Sequence, residues 1–196
     1  RKFDKKDRSF EQKPSKVMTI LLTFEALESG QIKLEDRVTA SRNASSKGGS
    51  QIWLKEGEQM SVDDLLKATA VYSANDACTA LGEYVSGSEE AFVAALNQRA
   101  AELGMKNTNF VNTNGLDAEN HYTTARDLAQ ITIEALKNEI FLKIIQTSEY
   151  SFENIYQCFR IHFIPFLSFC FARIICKAVI IIVRSRAVLK EKTKKL

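Results

Sequence analysis

The sequence predicts an α+β fold in which helices dominate and the sheet is incomplete, on three observations. Apolar residues recur at helical spacing through most of residues 14–147, only two short stretches look β-like, and the composition changes character after about residue 155. The chain therefore divides into a short leading segment at 1–13, a mostly helical unit at 14–153 and an atypical hydrophobic and basic tail at 154–196.

The first helix is expected over residues 14–30. Val17, Ile20, Leu21, Phe24 and Leu27 make an amphipathic pattern, with Pro14 suited to a first turn and Gly30 to a C-cap. Residues 34–53, rich in Ser, Gly, Asn and charge, read as loop with short strands at 37–39 and 51–54. Ser61, three residues before Asp64, opens a second helix through Val62, Leu65, Leu66 and Thr69. Residues 76–85 repeat the pattern, Ser88 with Glu89 and Glu90 starts a helix running to Gly104, and Thr124 with Asp127 starts another over 125–137.

Length and composition bound the function. With 196 residues, 45% hydrophobic and 26% charged, the chain has the balance of a globular protein able to bury a core. A net charge of +3, with Lys and Arg scattered among acids, speaks against a nucleic-acid partner. Cys78, Cys158, Cys170 and Cys176 have no metal-ligand spacing, and there is no Gly-rich phosphate loop, so no cofactor or metal is expected. Residues 1–6 are charged and precede no apolar run, so no signal peptide is read here.

The strongest local signal is Val71-Tyr72-Ser73-Ala74-Asn75-Asp76, a polar interruption between two helical patterns. In such a turn a hydroxyl can relay a proton while a carboxamide binds a peptide group. From spacing alone, helix capping by Ser73 or Asn75 is the more economical reading. His121, beside Tyr122 and ahead of a capped helix, reads as a hydrogen-bonded structural residue rather than a base.

Several further segments, in fixed order, carry a family resemblance. Lys16-Val17-Met18-Thr19 followed by Leu21-Leu22 resembles the segment after the active-site serine of penicillin-binding serine-type D-alanyl-D-alanine carboxypeptidases. Residues 48–58 resemble that family's loop and strand, and Tyr72-Ser73-Ala74-Asn75-Asp76-Ala77 its S-x-N element. Leu103-Gly104-Met105, Asn107-Thr108, Gly115-Leu116 and His121-Tyr122-Thr123-Thr124-Ala125-Arg126-Asp127 are similar to its helical half. The resemblance covers roughly residues 14–153. It implies a β-lactamase/transpeptidase-like fold, here mainly the helical part. It also implies an acyl-enzyme reaction that trims the terminal D-alanine of peptidoglycan stem peptides in the cell envelope, with β-lactams as mimics. Lys16 would be the general base, Ser73 a proton relay and Asn75 a substrate-binding residue.

Two of the family's three motifs are missing. Signatures of penicillin-binding proteins are S-x-x-K, S-x-N and K-T-G, and with Lys16 as the motif lysine the nucleophile position holds Lys13. Ser15 is the nearest hydroxyl, yet an adjacent helical position points roughly 100° away, which makes it a doubtful substitute nucleophile. Lys192-Thr193-Lys194 approaches K-T-G but lacks the glycine. The alternative is accordingly a catalytically inactive fragment or pseudoenzyme retaining peptide binding through Ser73 and Asn75, with strand edges and apolar helix faces uncovered. The tail composition suggests a shifted reading frame or truncation. A third reading makes residues 159–183 a membrane-attached module, although Arg173 and Lys177 interrupt the stretch and its apolar core, 163–172, falls short of the ~20 residues of a spanning helix.

Overall fold

The computed structural model describes residues 13–139 and 141; the tail assigned to 154–196 and most of the leading segment lie outside the described residues. The elements in chain order are α1 (Lys13–Glu28), β1 (Arg37–Thr39), α2 (Arg42–Ser45), β2 (Gln59–Ser61), α3 (Val62–Val71), α4 (Asn75–Ser86), α5 (Glu89–Glu102) and α6 (Ala125–Ala135).

The helix starts follow the expected chemistry. Ser61, Ser88 and Thr124 each accept, through the side-chain oxygen, the amide of the residue three positions on: Asp64, Ala91 and Asp127. Each bond satisfies one of the amide groups that a helix N-terminus leaves without a partner. Ser41 does the same for the single-turn α2, a helix within the stretch 34–53 that the sequence presents as loop and short strands.

Two expectations need correction. Residues 51–54 do not form a strand: β1 pairs antiparallel with β2, Val38 opposite Met60, and this is the whole sheet among the described residues. The β-like alternation of 51–54 is real, with Ile52 and Leu54 buried and Trp53 exposed, but their amides go to a carboxylate instead of a neighbouring strand. Nor is α1 amphipathic. Every residue from Pro14 to Phe24 is buried, because α3, α4, α5 and α6 all pack on it. A helix surrounded on all sides must satisfy its polar residues internally. Thr19 donates to the Thr113 carbonyl (2.9 Å) and Thr23 to that of Thr19 (2.8 Å). Among the described residues the exposed large apolar side chains are Trp53, Tyr84, Val111, Tyr122 and Ile133.

Helix α4 is the second hub, contacting α1, α2, α3 and α5. Its packing is tight at Gly82, where a Cβ would lie 2.8 Å from Phe92 and 2.9 Å from Thr113. The N-terminus of this helix carries the candidate site.

Candidate active site

Between α3 and α4 the chain turns through Tyr72, Ser73 and Ala74. Ser73 has φ +57°, an uncommon conformation for a non-glycine residue. Capping does not explain this turn. The N-cap position is Ala74, with no side-chain cap bond, and Asn75 already belongs to the helix. Asn75 turns its amide sideways: Nδ2 donates to the Gly48 carbonyl and the backbone amide to that of Ser50, both at 2.7 Å. Gly49, between those acceptors, has φ +80° and no room for a Cβ, which would meet Asn75 Nδ2 at 2.8 Å. With Nδ2 committed, Asn75 Oδ1 is a buried acceptor with no hydrogen-bond partner. A buried group left so costs roughly 1–3 kcal/mol.

Asp76, fully buried, completes the fastening of this loop. Its carboxylate accepts the amides of Ile52 (3.1 and 3.2 Å), Leu54 (3.0 Å) and Ala77 (2.9 Å). In an extended strand the amides of residues two apart point the same way but are too widely spaced for one carboxylate. The left-handed turn at Trp53, φ +63°, brings them together. Such a conformation costs roughly 1–3 kcal/mol in a bulky residue, which the charge-assisted bonds to Asp76 offset.

Lys16 enters from α1. Its side chain is buried, and Nζ donates to the Asn114 carbonyl at 2.6 Å. Burial lowers its pKa, and the neighbouring Cys78 pulls the other way. The burial effect decides the direction, because the Cys78 thiol is itself pushed up to about 11 by burial and stays protonated at neutral pH. Cys78 donates to the Thr113 carbonyl at 3.1 Å and lies three residues after Asn75, on the same face of α4. Lys16 therefore approaches the face that Asn75 heads, without bonding Asn75 or Ser73.

Ser15 lies elsewhere. Its hydroxyl is fully buried and sits 2.9 Å from His121 Nε2. The Val111 amide donates to His121 Nδ1 at 3.1 Å, so Nδ1 is unprotonated and a neutral ring carries its hydrogen on Nε2. Burial lowers the His121 pKa, against an opposing pull from Asp117. His121 is thus a donor to Ser15, and cannot take the proton that a nucleophile must lose.

Sequence reasoning missed three supports of the site. Asp76 was quoted as part of a motif, but nothing in the sequence links it to Ile52 and Leu54. Asn114 contributes a backbone carbonyl, which leaves no trace in residue type. Glu89, read only as a helix-start acid, accepts from Asn43 (2.8 Å), Lys47 (2.6 Å) and the Thr113 hydroxyl (3.0 Å). It ties the loop leading to Gly48 to the residue beside Asn114. Burial alone would raise its pKa, but these donors outweigh burial and hold it below the usual range. Among the described residues, no group of His, Cys, Asp and Glu is arranged to hold a metal, and no helix is long and apolar enough to cross a membrane.

Comparison with known proteins identifies a family and its solved structures. The family model described as D-alanyl-D-alanine carboxypeptidase (peptidase S11) matches residues 9–164. The carboxypeptidase DacF of Bacillus subtilis is 50% identical over 135 residues, 69% of this chain and 35% of the relative. DacA of Escherichia coli is 37% identical over 155 residues, 74% of this chain and 38% of the relative. Among solved structures, penicillin binding protein 5 from Haemophilus influenzae superposes with TM-score 0.71 at 33% identity, covering 78% of this chain and 46% of that one. Penicillin binding protein 6B from Escherichia coli gives 0.68 at 34% identity, covering 74% and 48%. The chain thus spans about a third of the length of these curated relatives, and its helices are the helical part of their β-lactamase/transpeptidase-like fold. It belongs to the D-alanyl-D-alanine carboxypeptidase family.

Proposed function

We propose that the chain carries the helical half of a serine-type D-Ala-D-Ala carboxypeptidase site, which removes the terminal D-alanine from peptidoglycan stem peptides in the cell envelope and is acylated by β-lactams. The observation that carries this reading is the buried amine of Lys16, held on the Asn114 carbonyl and close enough to feel Cys78 of α4, three residues after Asn75. An amine whose pKa is lowered by desolvation spends more time neutral and can accept a proton.

In the intact reaction a serine oxygen bonds to the carbonyl carbon of the penultimate D-alanine, its proton passing to the Lys16 amine. The tetrahedral intermediate expels the terminal D-alanine, whose nitrogen takes a proton through the Lys16 and Ser73 pair, and water then hydrolyses the ester. Asn75 Oδ1, an acceptor without a partner, suits a substrate peptide N–H once the site opens.

The nucleophile would stand one turn before Lys16, at residue 13, where this chain has lysine. One observation favours a second reading, that this chain binds peptide without being acylated: Ser15 is fully buried and receives a hydrogen bond from His121.

The test is to restore the motif with Lys13→Ser and label with a fluorescent penicillin, mapping the adduct by mass spectrometry. An adduct at position 13 is expected. Its loss, by about 100-fold or more in labelling rate, is expected when Lys16→Ala is added. A folded Lys13→Ser chain that takes no label refutes the reading, and an adduct on Ser15 of the unaltered chain refutes the second.

A further inference from the structure

Trp53 is the sole tryptophan of the chain and stands 73% exposed, the most exposed of the large apolar residues described. Its position is imposed from both sides. Ile52 and Leu54 are buried on either side of it, and the left-handed turn at Trp53 leaves the ring between them outward. Their amides are fastened to Asp76, which adjoins Asn75, while Asn75 itself holds Gly48 and Ser50. The ring is therefore mounted on the same unit as the candidate substrate-binding amide, on a backbone that cannot readily rotate it inward. An exposed aromatic with few free torsions is a low-entropy contact surface.

The charge that follows it in the chain limits what it can take. Residues 55–58 carry Glu56 and Glu58 against the single cation Lys55, and the negative face of an indole attracts cations. Resting on the function proposed above, the geometry points to Trp53 as a substrate-contacting residue. It is a fixed plate for the aliphatic, ammonium-tipped side chain of a stem-peptide residue upstream of the D-alanyl end.

The experiment titrates the full chain with three peptides ending in D-Ala-D-Ala, identical except for lysine, norleucine or alanine at the third position from the C-terminus. Affinity is read by calorimetry and the ring's environment by tryptophan emission and acrylamide quenching. The lysine peptide is expected to bind about two- to fivefold tighter than the norleucine peptide, and norleucine tighter than alanine, with saturable emission change and reduced quenching. Trp53→Ala should remove the order, and Trp53→Phe should keep most of it. Asn75→Ala should weaken all three peptides alike and leave the order intact. Equal affinities, an order that survives Trp53→Ala, or saturation with unchanged emission overturns the role of Trp53 alone. Failure of all three peptides to bind overturns the proposed function and this inference with it.

Discussion

His121 donates its Nε2 hydrogen to Ser15 Oγ across 2.9 Å because the Val111 amide already occupies Nδ1. A serine beside a histidine resembles a catalytic pair, but the direction of the bond makes it structural. Its consequence is a pH dependence of stability. The folded pKa of His121 is lowered by burial, so below about 6.5 the unfolded chain binds a proton that the folded chain resists. Stability is then present in full above that value and falls as pH drops towards the folded pKa. Urea denaturation between pH 7.5 and 5 should show the decline, and His121→Ala should flatten it.

The alkaline limb involves Lys16 and Cys78, whose slopes oppose. Lys16 has a lowered folded pKa. Between that value and about 10.5 the unfolded chain holds the extra proton, and stability rises with pH. Cys78 is pushed up to about 11, so above roughly 8.5 the folded chain holds the extra proton and stability falls. Cys78→Ala removes only the falling limb. Its unfolding free energy should therefore climb relative to the unaltered chain as pH rises from 8 to 10.5, whatever the constant cost of the lost sulfur.

Much of the scaffold was legible because it is built from local rules. Ser61, Ser88 and Thr124 announce their helices through a bond three residues long, and β1 was readable from its own sequence. The failures share another cause. Gln51–Leu54 alternates like a strand because Ile52 and Leu54 are buried, yet a partner 22 to 24 residues away, Asp76, decides what their amides bond to. Apolar spacing on α1 showed one face, whereas its burial on all faces depends on four helices closing round it. At the site, Ser73 and Asn75 stand out as a polar interruption between two helical patterns, while Lys16 and the roles of all three come from resemblance. The Asn114 carbonyl that holds Lys16 was invisible because any residue type can supply it.

Asp76 offers a direct test of that long-range control. Asp76→Asn preserves shape but removes the charge and replaces one acceptor oxygen by a donor, leaving the Ile52, Leu54 and Ala77 amides without a charged partner and at least one of them without an acceptor. Hydrogen bonds to charged groups contribute about 1.5–3 kcal/mol, and a loss of that size is expected in urea unfolding. With the left-handed turn at Trp53 no longer held, the tryptophan emission of the native state should also shift.

Two glycines separate stability from the site. Gly82→Ala places a Cβ 2.8 Å from the Phe92 ring and 2.9 Å from the Thr113 methyl, in a tightly packed junction of α4 and α5. Overpacking of this kind typically costs about 1–3 kcal/mol, and here that cost should come with little change in the relative affinities for peptides. Gly49→Ala meets a different obstacle. Its φ of +80° already disfavours a side chain by about 1–2 kcal/mol, and the added Cβ would lie 2.8 Å from Asn75 Nδ2, displacing the amide from the Gly48 carbonyl. A stability loss of similar size to that of Gly82→Ala should therefore be accompanied by weaker peptide binding. Comparing the two variants at equal stability isolates the contribution of Asn75 orientation, and equal peptide affinity in both would show that this orientation does not govern binding.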